Sequence, residues 1–259
     1  MDQMEIDNTR DEDNNELPNP ELSDGQILVN DLEKKYFDYI YSILCKNGSS
    51  FKRSFLNQYQ IRESWAEYDG DMSLVARGLE RVLQSIIYKN TDWDAASTPE
   101  GADSVFQTSS AIVHIDAKAY LKSDGDATGN KITLGPNQTT YASSMPIVYR
   151  DVPFSSKLPA SYSHSMYGNI PCLNYFLKIH YDLSGELETM RDYQAYLCCI
   201  PNETFRNILG DSFWNAGRKK ERGVRTSIRI NFNTLNDIID GFHNDSPLKW
   251  KRDALIEFY

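Results

Sequence analysis

Between residues 103 and 120 the chain reads DSVFQTSSAIVHIDAKAY, two short runs rich in Val, Ile and Phe joined by a polar TSS turn. β-Branched and aromatic residues suit the pleated, half-buried surface of a sheet, so the segment predicts two neighbouring strands of a hairpin. A buried strand would continue AIVHI with apolar residues, yet this one ends in Asp116-Ala117-Lys118. Burying a charge is costly unless it is paired or bound to a metal. Residues two apart on a strand share a face, so Asp116 and Lys118 project together, with His114 one step earlier on the same side. Asp103 opens the preceding strand, and an antiparallel hairpin can bring it close to the Asp116 end.

Upstream the apolar period is helical. Leu28, Leu32, Tyr36, Tyr39, Ile40, Ile43 and Leu44 predict an amphipathic helix over 27–45, ending before Asn47-Gly48. Val75, Leu79, Val82, Leu83, Ile86 and Ile87 predict a second from about Ser73 to Tyr88, with Asp71 or Ser73 as its cap. Residues 121–171 form a long polar connection with brief apolar runs such as MPIVY. Strands are expected at LNYFLKIHYDL (173–183), YQAYLCCI (193–200) and VRTSIRINF (224–232). Asn202 is placed to cap a helix over NETFRNILGDSF, Thr234 to cap TLNDIIDGF, and Ser246-Pro247 to open a last helix. No internal repeat is present, and the order of elements predicts a single α/β or α+β domain with a mixed sheet.

The formal charge of −10 looks wrong for a nucleic-acid binder, because phosphate contacts call for Lys and Arg. The charge is uneven, however: residues 1–24 hold nine acids against one base, a net of −8, leaving only −2 for the rest of the chain. That acidic segment is too polar to offset the entropy of ordering and is expected to be a disordered tail, with the domain occupying 25–259. It has neither the basic start nor the apolar core of a secretion signal, and no apolar run approaches a membrane span, so the expectation is a cytoplasmic protein. Cys45, Cys172, Cys198 and Cys199 show no metal-ligand spacing and read as reduced core thiols.

Two carboxylates converging on one point repel each other, and a hard divalent cation such as Mg2+ relieves that repulsion with oxygen ligands. A lysine beside them can hold or deprotonate an attacking water while the cation offsets charge building on a phosphate. The plainer reading is a strand-end ion pair between Asp116 and Lys118, with Asp103 as a turn residue. Glu33-Lys34-Lys35 serves as a control, since the same acid-x-Lys spacing mid-helix reads as an ordinary solvated face.

Besides a weaker cluster at Phe51-Lys52-Arg53, basic residues gather most strongly in WNAGRKKERGVRTSIRINF. Arg218, Lys219, Lys220, Arg222, Arg225 and Arg229 there read either as a phosphate- or base-contacting segment or as a solvated basic turn. In GPNQTTYASS, Asn137 and Gln138 have the amides to pair with base edges, and Thr139 and Thr140 can touch phosphate or a thymine methyl. GDATGNKIT is not a phosphate-binding P-loop, because three residues separate its glycines where four are needed and Asn precedes the lysine.

Asp103 followed by Asp116-x-Lys118 at the end of an apolar strand, after a helix carrying a glutamate, resembles the PD-(D/E)XK nuclease superfamily, and type II restriction endonucleases in particular. Ala102 stands where the motif usually has proline. The resemblance covers residues 73–141 and implies a restriction-endonuclease-like mixed β-sheet flanked by helices. It further implies that Asp103, Asp116 and the carbonyl of Ala117 bind Mg2+, that Lys118 activates the water, and that Glu80 contributes from the preceding helix. Glu80 reads equally as an exposed acid paired with Arg77 or Arg81. The implied activity is sequence-specific cleavage of double-stranded DNA to 5' phosphates by a homodimer. The alternatives are a repair or recombination nuclease of the same superfamily and a non-catalytic DNA-binding protein.

Overall fold

The computed structural model describes residues 19–59, 72–96, 102–121, 131–141, 154–181, 194–216 and 227–256. Most of the acidic segment and the MPIVY run lie outside these residues. Helix α1 (Asp24–Lys46) starts three residues before the expected Ile27 because Ser23 and Gln26 form a capping box, each side chain accepting from the other's backbone N–H. Its buried stripe is Val29, Leu32, Glu33, Tyr36, Phe37, Ile40, Ile43 and Leu44, whereas Leu28 and Tyr39, expected on that stripe, are exposed. The stripe therefore runs through Glu33, and the expectation that Glu33 lies on a solvated face is overturned: it is wholly buried, and only Lys34 and Lys35 face water. Helix α2 (Gly48–Tyr59) follows at once, and α3 (Met72–Asn90) extends the predicted second helix by a residue or two at each end.

The main sheet has seven strands. Its path runs β1 (Asp94–Ala95), β2 (Ser104–Gln107), β3 (Ile112–Leu121), β6 (Gly168–Tyr181), β7 (Gln194–Ile200) and β10 (Asp253–Ile256), with β5 (Ser161–His164) paired to β6. β3 and β6 are parallel and the other pairs antiparallel, so the sheet is mixed and the fold α+β, as expected. The hairpin read from DSVFQTSSAIVHI is β2–β3, with Val105 opposite His114 and Phe106 opposite Val113. A second sheet joins β4 (Lys131–Leu134), β9 (Ile228–Asn231) and β8 (Trp214–Ala216), in that order.

Further expectations fail. The connection over 121–171 contains β4, β5 and the start of β6; the turn from β5 into β6 is closed by Gly168, at a φ of +72° that favours glycine. Asn202 caps the 3-10 turn Glu203–Phe205 as expected, but helix α4 (Arg206–Leu209) continues from it with no side-chain cap of its own, and α5 (Phe232–Asp240) is capped by Asn231 and not Thr234: the Asn231 side chain accepts from the Asn233 N–H. Past Ser246-Pro247 there are turns and then β10 where a helix was expected; pairing with the edge of β7 overrides local helix preference.

Register sorts the main sheet into two faces. Phe106, Val113, Ile115, Ala117, Leu173, Tyr175, Leu177, Ile179, Leu197 and Cys199 share one face and are all buried. Helices α1 and α3 cover it: the Tyr175 hydroxyl donates to the Glu33 carbonyl at 2.8 Å, and Leu83 and Ile87 join the same core. The other face carries His114, Asp116 and Lys118 from β3 beside Asn174, Phe176 and Lys178 from β6. All four cysteines are free thiols. Among the described residues no helix is long and apolar enough to cross a membrane.

Candidate active site

β2 stops pairing at the Ser104–Ile115 rung, so β3 runs on past its neighbour. The exposed edge of β3 leaves the Ala117 N–H in want of an acceptor, and Asp103 supplies it: Oδ2 accepts from Ala117 N at 2.8 Å. This bond brings the two predicted aspartates to the same end of the sheet. Asp116 points away from the helices, with only 1% of its surface exposed, and its Oδ1 lies 3.1 Å from Lys118 Nζ. Burial raises the Asp116 carboxyl to about 7; the Lys118 cation works against the rise, and the Asp103 carboxyl adds to it. Asp103 is exposed and Lys118 partly so, which opens the cluster to solvent on that side.

The remaining oxygen of Asp116 meets a group placed elsewhere by the sequence. Gln138, expected to read bases, donates from Nε2 to Asp116 Oδ2. Asn137 beside it is exposed. Thr139 and Thr140, expected on a DNA face, are buried; their hydroxyls accept from the backbone N–H groups of Tyr141 and Glu203. Glu80 lies half-buried on α3, the helix packed on the opposite face of the sheet. Among the described residues no third acid, histidine or cysteine joins the aspartates in a cluster fit for a metal. Arg218, Lys219, Lys220, Arg222 and Arg225 lie outside the described residues; Arg229 sits on β9 between Thr133 and Asn215.

One neighbour was missed. Lys178, 2% exposed, is the register partner of Lys118 and lies with its ammonium 5.2 Å from the Tyr120 ring centroid. A lysine amid the apolar run LNYFLKIHY carries the same signal that singled out Asp116, a charge in a strand that must be buried. His114 shares the face, but burial lowers it to about 4, which leaves it neutral beside the Tyr162 ring.

The donor set suits a hard divalent cation. The Asp103 carboxyl bears on Asp116, which is hardly hydrated, and two such anions are costly to hold together without a compensating positive charge. A mixed sheet that ends in an aspartate pair and a lysine on its open face is the arrangement of the PD-(D/E)XK nucleases of the restriction-endonuclease type. Residues 26–185, more than half of the chain, match the family model described as type II restriction enzyme MwoI, N-terminal domain, and the chain belongs to that family. The fold is similar to that of the restriction endonuclease BglI bound to its DNA recognition sequence: TM-score 0.66, 14% identity, 90% of this chain and 92% of that one covered. It is also similar to the tetrameric restriction endonuclease SfiI bound to cognate DNA: TM-score 0.61, 15% identity, 92% and 96% covered. No curated protein matches the chain significantly.

Proposed function

We propose that the chain is a Mg2+-dependent, sequence-specific endonuclease of double-stranded DNA. The observation that carries this reading is Asp116, a carboxyl buried at the end of a sheet strand yet bounded on one side by Lys118 and on another by Asp103. Asp103, Asp116 and the Ala117 carbonyl would hold the cation. When bound, it offsets charge developing on the scissile phosphate and acidifies a water. The chain does the rest. Lys118, partly exposed and tethered to Asp116, presents an ammonium that orients the attacking water and lowers the cost of negative charge on the phosphate. The Ala117 N–H holds Asp103 against the strand, at the same end of the sheet as Asp116. Attack in line leaves a 5' phosphate and a 3' hydroxyl.

The basic run Arg218, Lys219, Lys220, Arg222, Arg225 and Arg229 supplies phosphate contacts, and exposed Asn137 is a candidate for base edges. A cytoplasmic homodimer suits the reading, one site per subunit cutting one strand of a twofold target. Incubating the full chain with a plasmid library and Mg2+ and sequencing the ends tests this. A recurrent sequence at ends bearing 5' phosphates is expected. Cuts at forks or junctions irrespective of sequence would favour a repair nuclease, and intact plasmid would overturn the reading.

A further inference from the structure

Resting on that reading, we propose that Gln138 is a positioning residue for the reaction: its carboxamide fixes the orientation in which Asp116 meets the cation. Asp116 has two oxygens to orient, and the fold assigns one to each neighbour, Oδ1 to Lys118 and Oδ2 to Gln138 Nε2. A carboxylate turning about its last side-chain torsion has a broad, twofold energy profile, so one ion pair alone does not set its plane. A second donor, on the other oxygen, does.

The amide is presented in one sense only. Gln138 Oε1 accepts from the Gly135 N–H at 2.9 Å, so the end that reaches Asp116 is the NH2, a donor facing an acceptor-only group. The turn that carries it is held on several sides. Pro136 sits in its first turn, and the Pro136 carbonyl accepts from Lys157 N at 2.8 Å. The Thr139 carbonyl accepts from Ser156 Oγ, and the Tyr141 hydroxyl donates to the Gly210 carbonyl at 2.6 Å. The amide already gives one of its N–H groups to Asp116 and its carbonyl to its own turn, which fixes its plane against the site.

The test uses the full chain with Gln138→Met, which keeps length without a donor, and Gln138→Glu, which keeps shape but faces Asp116 with an acceptor. Cleavage is followed against Mg2+ concentration, and Ca2+ binding is measured by calorimetry without turnover. Losing a hydrogen bond to a charged group should raise the half-saturating Mg2+ of Q138M about tenfold and weaken Ca2+ to a similar degree, with a much smaller change in the saturating rate and the same sequence cut. An unchanged cation response, or an altered cleavage sequence with unchanged cation response, overturns the proposal. So does a fall in the denaturation midpoint of Q138M that persists undiminished in an Asp116→Ala background, because the amide would then serve its turn and not Asp116. Should Q138M fail to fold, Q138E decides: its midpoint should rise with Ca2+ more steeply than that of the unaltered chain, and an equal response overturns the proposal. Intact plasmid with the unaltered chain and Mg2+ would instead overturn the nuclease reading itself, and full-rate cutting by Asp116→Ala would remove Asp116 from it.

Discussion

Among the described residues two carboxylates are buried beside a cation, and they differ in what surrounds the pair. Glu33 and Arg252 are both wholly enclosed; Arg252 Nη1 donates to Glu33 Oε2, and the Asn202 N–H donates to Oε1 at 2.7 Å. The guanidinium lies over the Trp250 ring, 4.4 Å from its centroid, and Nη1 reaches Cys199 Sγ at 3.7 Å. Burial pushes Glu33 up, and Arg252 is the chief influence against it. Asp116 is as deeply buried, but its partner Lys118 keeps 29% of its side chain in solvent, and a second carboxyl stands beside it. The first pair is closed and joins the N-terminal helix to the C-terminal strand region. The second is left open on the side where a phosphate and a cation could enter. Burial and pairing are common to both pairs; the proposed site differs in its accessible cation and in the second acid beside it.

The largest effect should come from opening that contrast at the catalytic end. Asp116→Ala or Lys118→Ala should lower plasmid cleavage by roughly 10^3-fold or more while duplex binding in Ca2+ persists, the scale on which loss of a group acting in the transition state is felt. Retained cleavage in both would make the open pair as structural as the closed one. Glu33→Ala should behave in the opposite way. It strands Arg252 and should cost about 3–5 kcal/mol in chemical denaturation. The folded fraction should still cut at the unaltered rate in Mg2+; lost cutting by folded protein would show that the closed pair serves the chemistry too.

Acidity sharpens the difference further. Without a cation, Asp116 titrates near 7 instead of its ordinary 3.8. Between those values the folded chain keeps a proton that the unfolded chain has lost, so metal-free stability should fall as pH rises from about 4 to 7, by at most about 1.4 kcal/mol per unit, and level off above. Asp116→Asn should flatten this slope in a denaturant series, and a cation-free stability that rises through that window would contradict the assignment. Least affected should be Asp38→Asn, which removes the exposed Lys34–Asp38 pair one turn along from Glu33; a change below about 0.5 kcal/mol is expected in the same series.

Why one pair was legible in the sequence and the other not is a matter of period. A strand shows its burial by alternation, so Asp116 and Lys118 ending AIVHI announce a charge where an apolar residue belongs, and Asp103 follows from the short turn of the hairpin. On α1 the apolar stripe is wide enough that Glu33 falls inside it without breaking the pattern, and its partner lies 219 residues away. Gln138 was legible as a polar loop residue but not as a partner of Asp116, because a contact across 22 residues between a turn and a strand leaves no local trace. β10 was hidden for a related reason: ALIE suits a helix as well as a strand, and only the free edge of β7 decides. The helices α1 and α3, the β2–β3 hairpin and the strand over YQAYLCCI depend on local periodicity and were readable.

The central claim is that Asp103 and Asp116 share one divalent cation. Calorimetric titration of Ca2+ into the full chain bound to duplex DNA, beside Asp103→Ala and Asp116→Ala, measures it most directly. The expected result is saturable binding to the unaltered chain that is lost in each variant while both variants still hold DNA; undiminished Ca2+ binding in either would contradict the claim.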